Sequence, residues 1–246
     1  MRITIGTAVY DDFDGVYFTM QALRLYHDLT DCELLVVDNH PESPKGKHTE
    51  RFCKNAGIRY VAMPYPVGTS PPRNRIFQEA TGEVVVVLDS HVLLLPGSLE
   101  AIRRFYSDPA HTKDLAHAVL VYDDLQGIST HFVDVWRAEM QGIWATDKRA
   151  EDPKADPFEI PASGLGAFAC RKEAWPGFHP EARGFGGEEF YIHEKVRRRG
   201  GKVYCLPGFR YVHRFGRVMV PYPLRQFDKV RNYILEYKEL GWPIER

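Results

Sequence analysis

The sequence predicts an α/β fold of Rossmann-like design, with a mostly parallel central sheet flanked by helices. Three observations predict it. Strand-like apolar runs alternate with amphipathic stretches through the first half of the chain. One run, Glu83–Leu88, holds four valines and a leucine, as a buried strand should. No repeat, low-complexity tract or long linker divides the 246 residues, a normal size for one large α/β domain.

The elements follow in order. Arg2–Tyr10 reads as a strand and Val16–Leu29 as an amphipathic helix. Glu33–Asp38 is a strand, Lys47–Ala56 a helix and Ile58–Met63 a strand. Ser70 is placed to cap a helix over Pro71–Ala80, with proline in the first turn, where its missing N–H costs little. After the valine strand, Ser98–Tyr106 reads as a helix with Leu99, Ile102, Phe105 and Tyr106 toward the core. The second half is less regular. Ala116–Tyr122 looks like a strand, while Phe132, Trp136, Met140 and Ile143 recur at helical spacing. Arg149–Pro161 is rich in charge and proline and reads as part of a mobile loop at about 147–161, of the kind that covers active sites. Glu188–Arg199 reads as a helix stopped by Gly200 and Gly201. Lys202–Leu206 and Phe209–His213 look like strands, and Pro223–Leu240 is a terminal amphipathic helix ended by Gly241 and Pro243.

Composition excludes several classes. The net charge of −1 carries no global bias toward polyanions, so any basic site is local. Cys32, Cys53, Cys170 and Cys205 form no CxxC pair; they read as reduced thiols and speak against a thiolate zinc site. The opening MRITIGTAVYDDFDG lacks the pattern of a signal peptide, and the run Val84–Leu88 is far too short to span a bilayer. A cytoplasmic protein with no membrane insertion is expected.

The sharpest chemical signal is VVVVLDSHVLLLPGSLEAI, where an apolar strand runs into Asp89-Ser90-His91 and a helix follows. Ligands of open α/β sheets bind outside the carboxyl ends of the strands. In extended chain, Asp89 and His91 point to the same side and could grip one ion. A carboxylate with an imidazole suits Mn²⁺ or a related divalent metal better than Ca²⁺. Such an ion can bridge two phosphates of a donor and take up charge on a leaving diphosphate. The plainer alternative makes Asp89 a turn cap and His91 a surface residue.

Three ordered segments carry a family resemblance. LDSHVLLLPGSLEAI resembles the DxH metal motif of the polypeptide N-acetylgalactosaminyltransferases. ASGLGAFACRKEAWPGF resembles their small-residue segment, and GFGGEEFYIHEKVRRRGGKVYCLPGFRYVHRFGR resembles their WGGEN helix and V-x-H-x-F segment. The match runs in order over residues 3–217 and implies a GT-A fold, one catalytic domain over 1–246 in which 1–91 serve the nucleotide and 92–246 the sugar and acceptor. It implies a UDP-sugar donor with Mn²⁺ (or Mg²⁺), and His213 as third metal ligand beside Asp89 and His91. It places Thr7, Ala8 and Tyr10 at the nucleoside, Asp38 on the base and Arg73 at the donor. Asp38 could also be only a turn former, and Arg75 competes with Arg73. Gly164 belongs to the small-residue segment whose glycines face the sugar, and Gly186 and Gly187 admit close backbone approach to it. Glu188 would bond sugar hydroxyls. Phe185 stands where the family has tryptophan, and could still stack on a sugar ring. Glu189 departs from the family's asparagine and matches instead the acid that serves as base in inverting Golgi galactosyltransferases, whose helix also begins GGE. An inverting enzyme needs a base to deprotonate the acceptor hydroxyl; a helix N-terminal acid, favourable to the dipole, is the alternative.

The anchor and lectin domain of the animal enzymes have no counterpart in these residues, and a bacterial or viral catalytic domain is expected. Six basic residues between 210 and 231 (Arg210, Arg214, Arg217, Arg225, Lys229, Arg231) face one acid, Asp228, with Tyr211, Phe215, Tyr222 and Phe227 interleaved. They could meet an anionic acceptor such as DNA, or form a solvated helix face. The acceptor hydroxyl is expected on a hydroxylated base of phage-type DNA, a protein Ser/Thr or a glycan. The other function classes are a nucleotidyltransferase, whose glycine-rich lysine loop is missing from TAVYDDFDG, and an inactive nucleotide-sugar-binding module.

Overall fold

Strands apolar on both faces demand cover on both faces, and the chain supplies it. The computed structural model describes residues 1–65, 68–214 and 225–244. The elements are β1 (Ile3–Val9), α1 (Phe13–Tyr26), β2 (Cys32–Asp38), α2 (Pro44–Ala56), β3 (Arg59–Ala62), α3 (Ser70–Glu79), β4 (Val84–Asp89), β5 (Val92–Leu94) and α4 (Ser98–Ser107). Then follow β6 (Leu115–Tyr122), β7 (Ile128–Ser129), β8 (His131–Arg137), β9 (Met140–Ala145), β10 (Phe158–Glu159), β11 (Ala167–Arg171), α5 (Glu188–Arg198), β12 (Val203–His213) and α6 (Gln226–Leu240).

The main sheet runs β10-β12-β6-β11-β4-β1-β2-β3. β4, β1, β2 and β3 are parallel neighbours, β12 is parallel to β6, and β11 enters antiparallel to both β4 and β6. The fold is therefore α/β with a mixed sheet that is parallel through its first half. Val84, Val86 and Leu88 of β4 pack with α1 and α4 residues such as Met20, Leu23 and Ile102. Val85 and Val87 pack the other way, with Ile76 and Phe77 of α3 and Tyr191 and Val196 of α5. This two-sided burial is why the strand is uniformly apolar.

The chain steps outward from β1 to β2 and β3, then returns to pair β4 on the other side of β1. That reversal opens a crevice at the carboxyl ends of β1 and β4, where α/β sheets bind ligands.

Four local expectations change. Phe132, Trp136, Met140 and Ile143 lie in the β8–β9 hairpin and not on a helix. The run is dense in β-branched and aromatic residues; Phe132 meets Trp144 across the strands at 4.3 Å between ring centroids, and Ala138 at φ 53° turns the chain. Ser70 is not the cap: Thr69 holds that position, and no side chain caps α3. The two C-terminal strands are one, β12, with an irregularity between Leu206 and Arg210. The segment expected as a mobile loop is anchored: Lys148–Glu151 forms a 3-10 turn, β10 pairs with β12, and Ala150 and Phe158 are buried. Arg149 lies over the Phe158 ring at 4.2 Å and Arg210 bonds to the Ala150 carbonyl. Its charge and proline content hid these few buried contacts.

The four cysteines are free thiols. Among the described residues, no helix is long and apolar enough to cross a membrane.

Candidate active site and metal centre

A cleft of about 280 Å³ opens at that crevice. Ala8 and Tyr10 at the end of β1, Asn39 after β2, and Thr69, Pro72 and Arg73 of the α3 region form its walls. Asp89, Ser90, His91, Phe185 and His213 complete it. β5 pairs with the end of β12, setting Val92 opposite His213, so two loops distant in sequence meet by sheet register.

Asp89, His91 and His213 each offer a ligand atom, and these atoms lie within 4.8 Å of one another. The His91 and His213 Nε2 atoms are 3.2 Å apart. Two nitrogens each about 2.1 Å from one ion would lie roughly 3 Å apart, so the spacing fits a shared cation. One oxygen and two imidazole donors suit a divalent transition ion such as Mn²⁺.

Asp89 is kept ionised. Burial pushes its carboxyl up, but Arg73, His91 and His213 outweigh that and leave it below the ordinary value. Arg73, only 6 % exposed, donates from Nη2 to Asp89 at 2.8 Å and to the Leu165 carbonyl at 3.4 Å. Its Nη1 reaches Glu188 at 3.4 Å. The Gly166 carbonyl accepts from the Asp89 N–H at 2.9 Å, so the small-residue segment supports the site with backbone oxygens.

The GGEE turn brings a second set of acids. Gly186 and Gly187 sit at φ 97° and 106°, where side chains are rarely tolerated. A Cβ on Gly187 would come within 2.9 Å of Glu236 Oε2, so the bare backbone makes the niche for that carboxyl. Glu188 is buried; its Oε1 accepts from Thr69 Oγ1, while its Oε2 has no hydrogen-bond partner among the described residues. Glu189 is half-buried at the first turn of α5. Burial, then the Glu188 charge, push its carboxyl up to about 8. Glu236 of α6, 1 % exposed and with both oxygens unpartnered among the described residues, is pushed well above the carboxylate range by burial and by Glu188 and Glu189.

The other predicted residues fall as follows. Ala8 and Tyr10 line the cleft, and the Tyr10 ring stacks on His40 at 4.7 Å. Thr7 is fully buried and off the cleft wall. Asp38 is 1 % exposed; it accepts from Tyr60 Oη at 2.9 Å and the His40 N–H at 2.8 Å, so Asn39 and not Asp38 reaches the wall. Gly164 faces Trp144, not the cleft. Arg75 pairs with Glu79 at 2.6 Å, and Arg73 alone of the two enters the site. Sequence reasoning missed Thr69, Asp12 and Glu236. Asp12 lies against Ser90 and His91; burial raises its carboxyl, and bonds with His91 and Ser90 bring it below the ordinary value. An acid before an amphipathic helix was the available signal for Asp12; nothing local marked Glu236.

Among the described residues, four of the six basic side chains are engaged within the chain, and Arg225 is exposed. Arg210 bonds to backbone carbonyls, Arg214 lies 3.5 Å from Asp12, Lys229 4.0 Å from Glu139, and Arg231 2.9 Å from Glu181. Phe215, Arg217, Tyr222 and the helix start at Pro223 lie outside the described residues.

Comparison with known proteins agrees with this architecture. The chain is 30% identical over 225 residues to N-acetylgalactosaminyltransferase 6 of Drosophila melanogaster, which covers 82% of this chain and 32% of the relative. It thus spans about a third of that relative's length. The crystal structure of GalNAc-T7 with UDP, GalNAc and Mn²⁺ superposes with a TM-score of 0.73 at 17% identity, over 97% of this chain and 48% of that one. S. aureus TarS 1-349 in complex with UDP-GlcNAc gives 0.67 at 16% identity, over 98% and 66%. These likenesses show the GT-A fold. The model of glycosyl transferase family 2 matches residues 4–174, and the chain belongs to that family.

Proposed function

We propose that the chain transfers a sugar from a UDP-sugar to an acceptor hydroxyl, with Mn²⁺ (or Mg²⁺) held by Asp89, His91 and His213. The observation that carries this is the convergence of those three side chains at the cleft on the strand ends. The bound ion would supply positive charge against the donor diphosphate. Uridine is supported by two structural neighbours, solved with UDP and with UDP-GlcNAc.

The chain's own residues take the remaining roles. Residues 1–91 serve the nucleotide: Ala8 and Tyr10 wall the nucleoside, and Asp38 acts one step back, through the His40 on which Tyr10 stacks. Arg73 holds Asp89 and Glu188 in register. Residues 92–246 serve the sugar and acceptor. Glu188 Oε2, with no partner among the described residues, is the oxygen left for a sugar hydroxyl. Glu189, raised to about 8 by burial and Glu188, is tuned as a base for the acceptor hydroxyl near neutral pH. A base in that role predicts inversion at the anomeric carbon. Among the described residues, Arg210, Arg214, Lys229 and Arg231 are engaged within the chain, which favours a glycan or protein acceptor over DNA phosphates.

The test is a mass-spectrometric screen of nucleotide sugars with Mn²⁺ against glycan, Ser/Thr peptide and hydroxylated DNA acceptors. Transfer from a UDP-sugar with an inverted product is expected. Transfer only from another nucleotide, or with retention, would overturn the corresponding part of the reading.

A further inference from the structure

The first turn of α1 is built against the loop that carries His91. Asp12 Oδ1 accepts from the Gly15 N–H at 3.2 Å and so caps the helix. Its Oδ2 points elsewhere: it accepts from Ser90 Oγ at 3.0 Å and lies 3.6 Å from His91 Nδ1. Ser90 Oγ is itself 3.4 Å from His91 Nδ1. Further along α1, Thr19 Oγ1 donates to the Ser90 carbonyl at 3.0 Å and the Val92 carbonyl at 2.7 Å. Arg214, next to His213, reaches Asp12 Oδ1 at 3.5 Å. One buried carboxylate thus touches both segments that bear a histidine of the trio.

A neutral imidazole has one N–H and one lone pair, and its partner decides which nitrogen holds which. With the proton on Nε2, His91 would donate across the 3.2 Å gap to His213 and be lost as a ligand. A carboxylate on the Nδ1 side favours the other tautomer. Helix capping alone needs only Oδ1, and does not explain why Oδ2 faces Ser90 and His91.

We propose that Asp12 is a positioning residue that holds the proton of His91 on Nδ1, so that Nε2 presents its lone pair to the cation. The inference rests on the metal reading above, and the experiment separates the two.

Asp12→Asn keeps the shape and a capping oxygen, since asparagine caps helices as well as aspartate does. Asp14→Asn, an exposed acid in the same turn, is the control. Two readouts are taken on the full chain. In metal-free protein, imidazole ¹⁵N shifts, assigned through His91→Asn, report the tautomer. Electron paramagnetic resonance of free Mn²⁺ reports the affinity. Asp12→Asn should lose the Nδ1–H preference and bind Mn²⁺ about 10–100-fold more weakly, as removal of the groups behind metal ligands does; Asp14→Asn should match the wild type. An Nδ1–H tautomer retained in Asp12→Asn, or a Mn²⁺ affinity within about twofold of wild type, overturns the proposal. Wild-type protein that binds no Mn²⁺, or Asp89→Ala that binds as well as wild type, sinks the metal reading instead, while the tautomer readout still decides the role of Asp12.

Discussion

Two groups of carboxylates meet at this cleft, and the fold treats them in opposite ways. At the end of β4, Asp89 is matched: Arg73 and two histidines hold it ionised. Where the start of α5 packs on α6, Glu189 of α5 and Glu236 of α6 are left with little opposing charge, and burial with mutual repulsion drives both up. Glu188 sits between, with one oxygen held by Thr69 and Arg73 and the other unpartnered among the described residues. The contrast has chemical sense. A carboxylate that ligates a cation must stay ionised at all working pH values, whereas one that serves as a base must gain and lose a proton.

Substitutions can break either half. The largest effect is expected from Glu189→Gln, which removes the proposed base: kcat should fall about 10²–10⁴-fold, the usual worth of such a group. In the wild type, kcat/KM should rise with pH toward about 8 as Glu189 loses its proton, and that rise should vanish in the variant. A pH profile identical in both would remove Glu189 from the chemistry.

Next comes Arg73→Leu, which strands Asp89 and Glu188. Breaking a buried ion pair from one side costs about 3–5 kcal/mol, measurable by urea denaturation at pH 7. Because the Asp89 carboxyl is lowered, its pairing stabilises above the ordinary carboxylate range and is lost as pH falls through the lowered value. The deficit of the variant should therefore shrink in acid.

Glu236→Gln should act in the opposite direction. A carboxyl whose folded value is raised stabilises the fold below about pH 4.5 and withdraws that stability as pH climbs toward the raised value. The variant should match the wild type near pH 4.5 and exceed it at pH 8, by about 1–3 kcal/mol or several degrees of Tm. Equal melting curves at pH 8 would show that Glu236 has found a partner. The smallest effect is expected from Gly187→Ala, a loss of about 1–2 kcal/mol from φ 106° and the encroachment on Glu236, seen as a lower Tm.

The matched half was legible in the sequence and the unmatched half only partly. Four valines before Asp89 announce a strand buried on both faces, and the acid at its end lies where α/β sheets bind ligands. His91 follows by alternation. His213 could be placed only through the family motif, since its approach depends on β5 pairing with β12. Asp12 meets Ser90 across 78 residues, a contact no local pattern encodes. Glu236 reads as one more polar position on an amphipathic helix, and only the packing of α6 over Gly187 turns it inward. The β8–β9 hairpin misled for a related reason: aromatic residues spaced by three and four fit a helix face as well as a strand pair, and the turn at Ala138 carries no glycine to announce it.

The central claim is that the Asp89, His91 and His213 centre makes sugar transfer depend on a divalent ion. It is tested most directly by UDP release from the donor that the screen identifies, in EDTA and after Mn²⁺ is restored, for the wild type and Asp89→Ala. The account predicts turnover that disappears in EDTA, returns with Mn²⁺, and is lower by at least about a hundredfold in Asp89→Ala under both conditions than in the Mn²⁺-loaded wild type. Undiminished turnover in EDTA, or an Asp89→Ala enzyme as fast as the wild type, would contradict it.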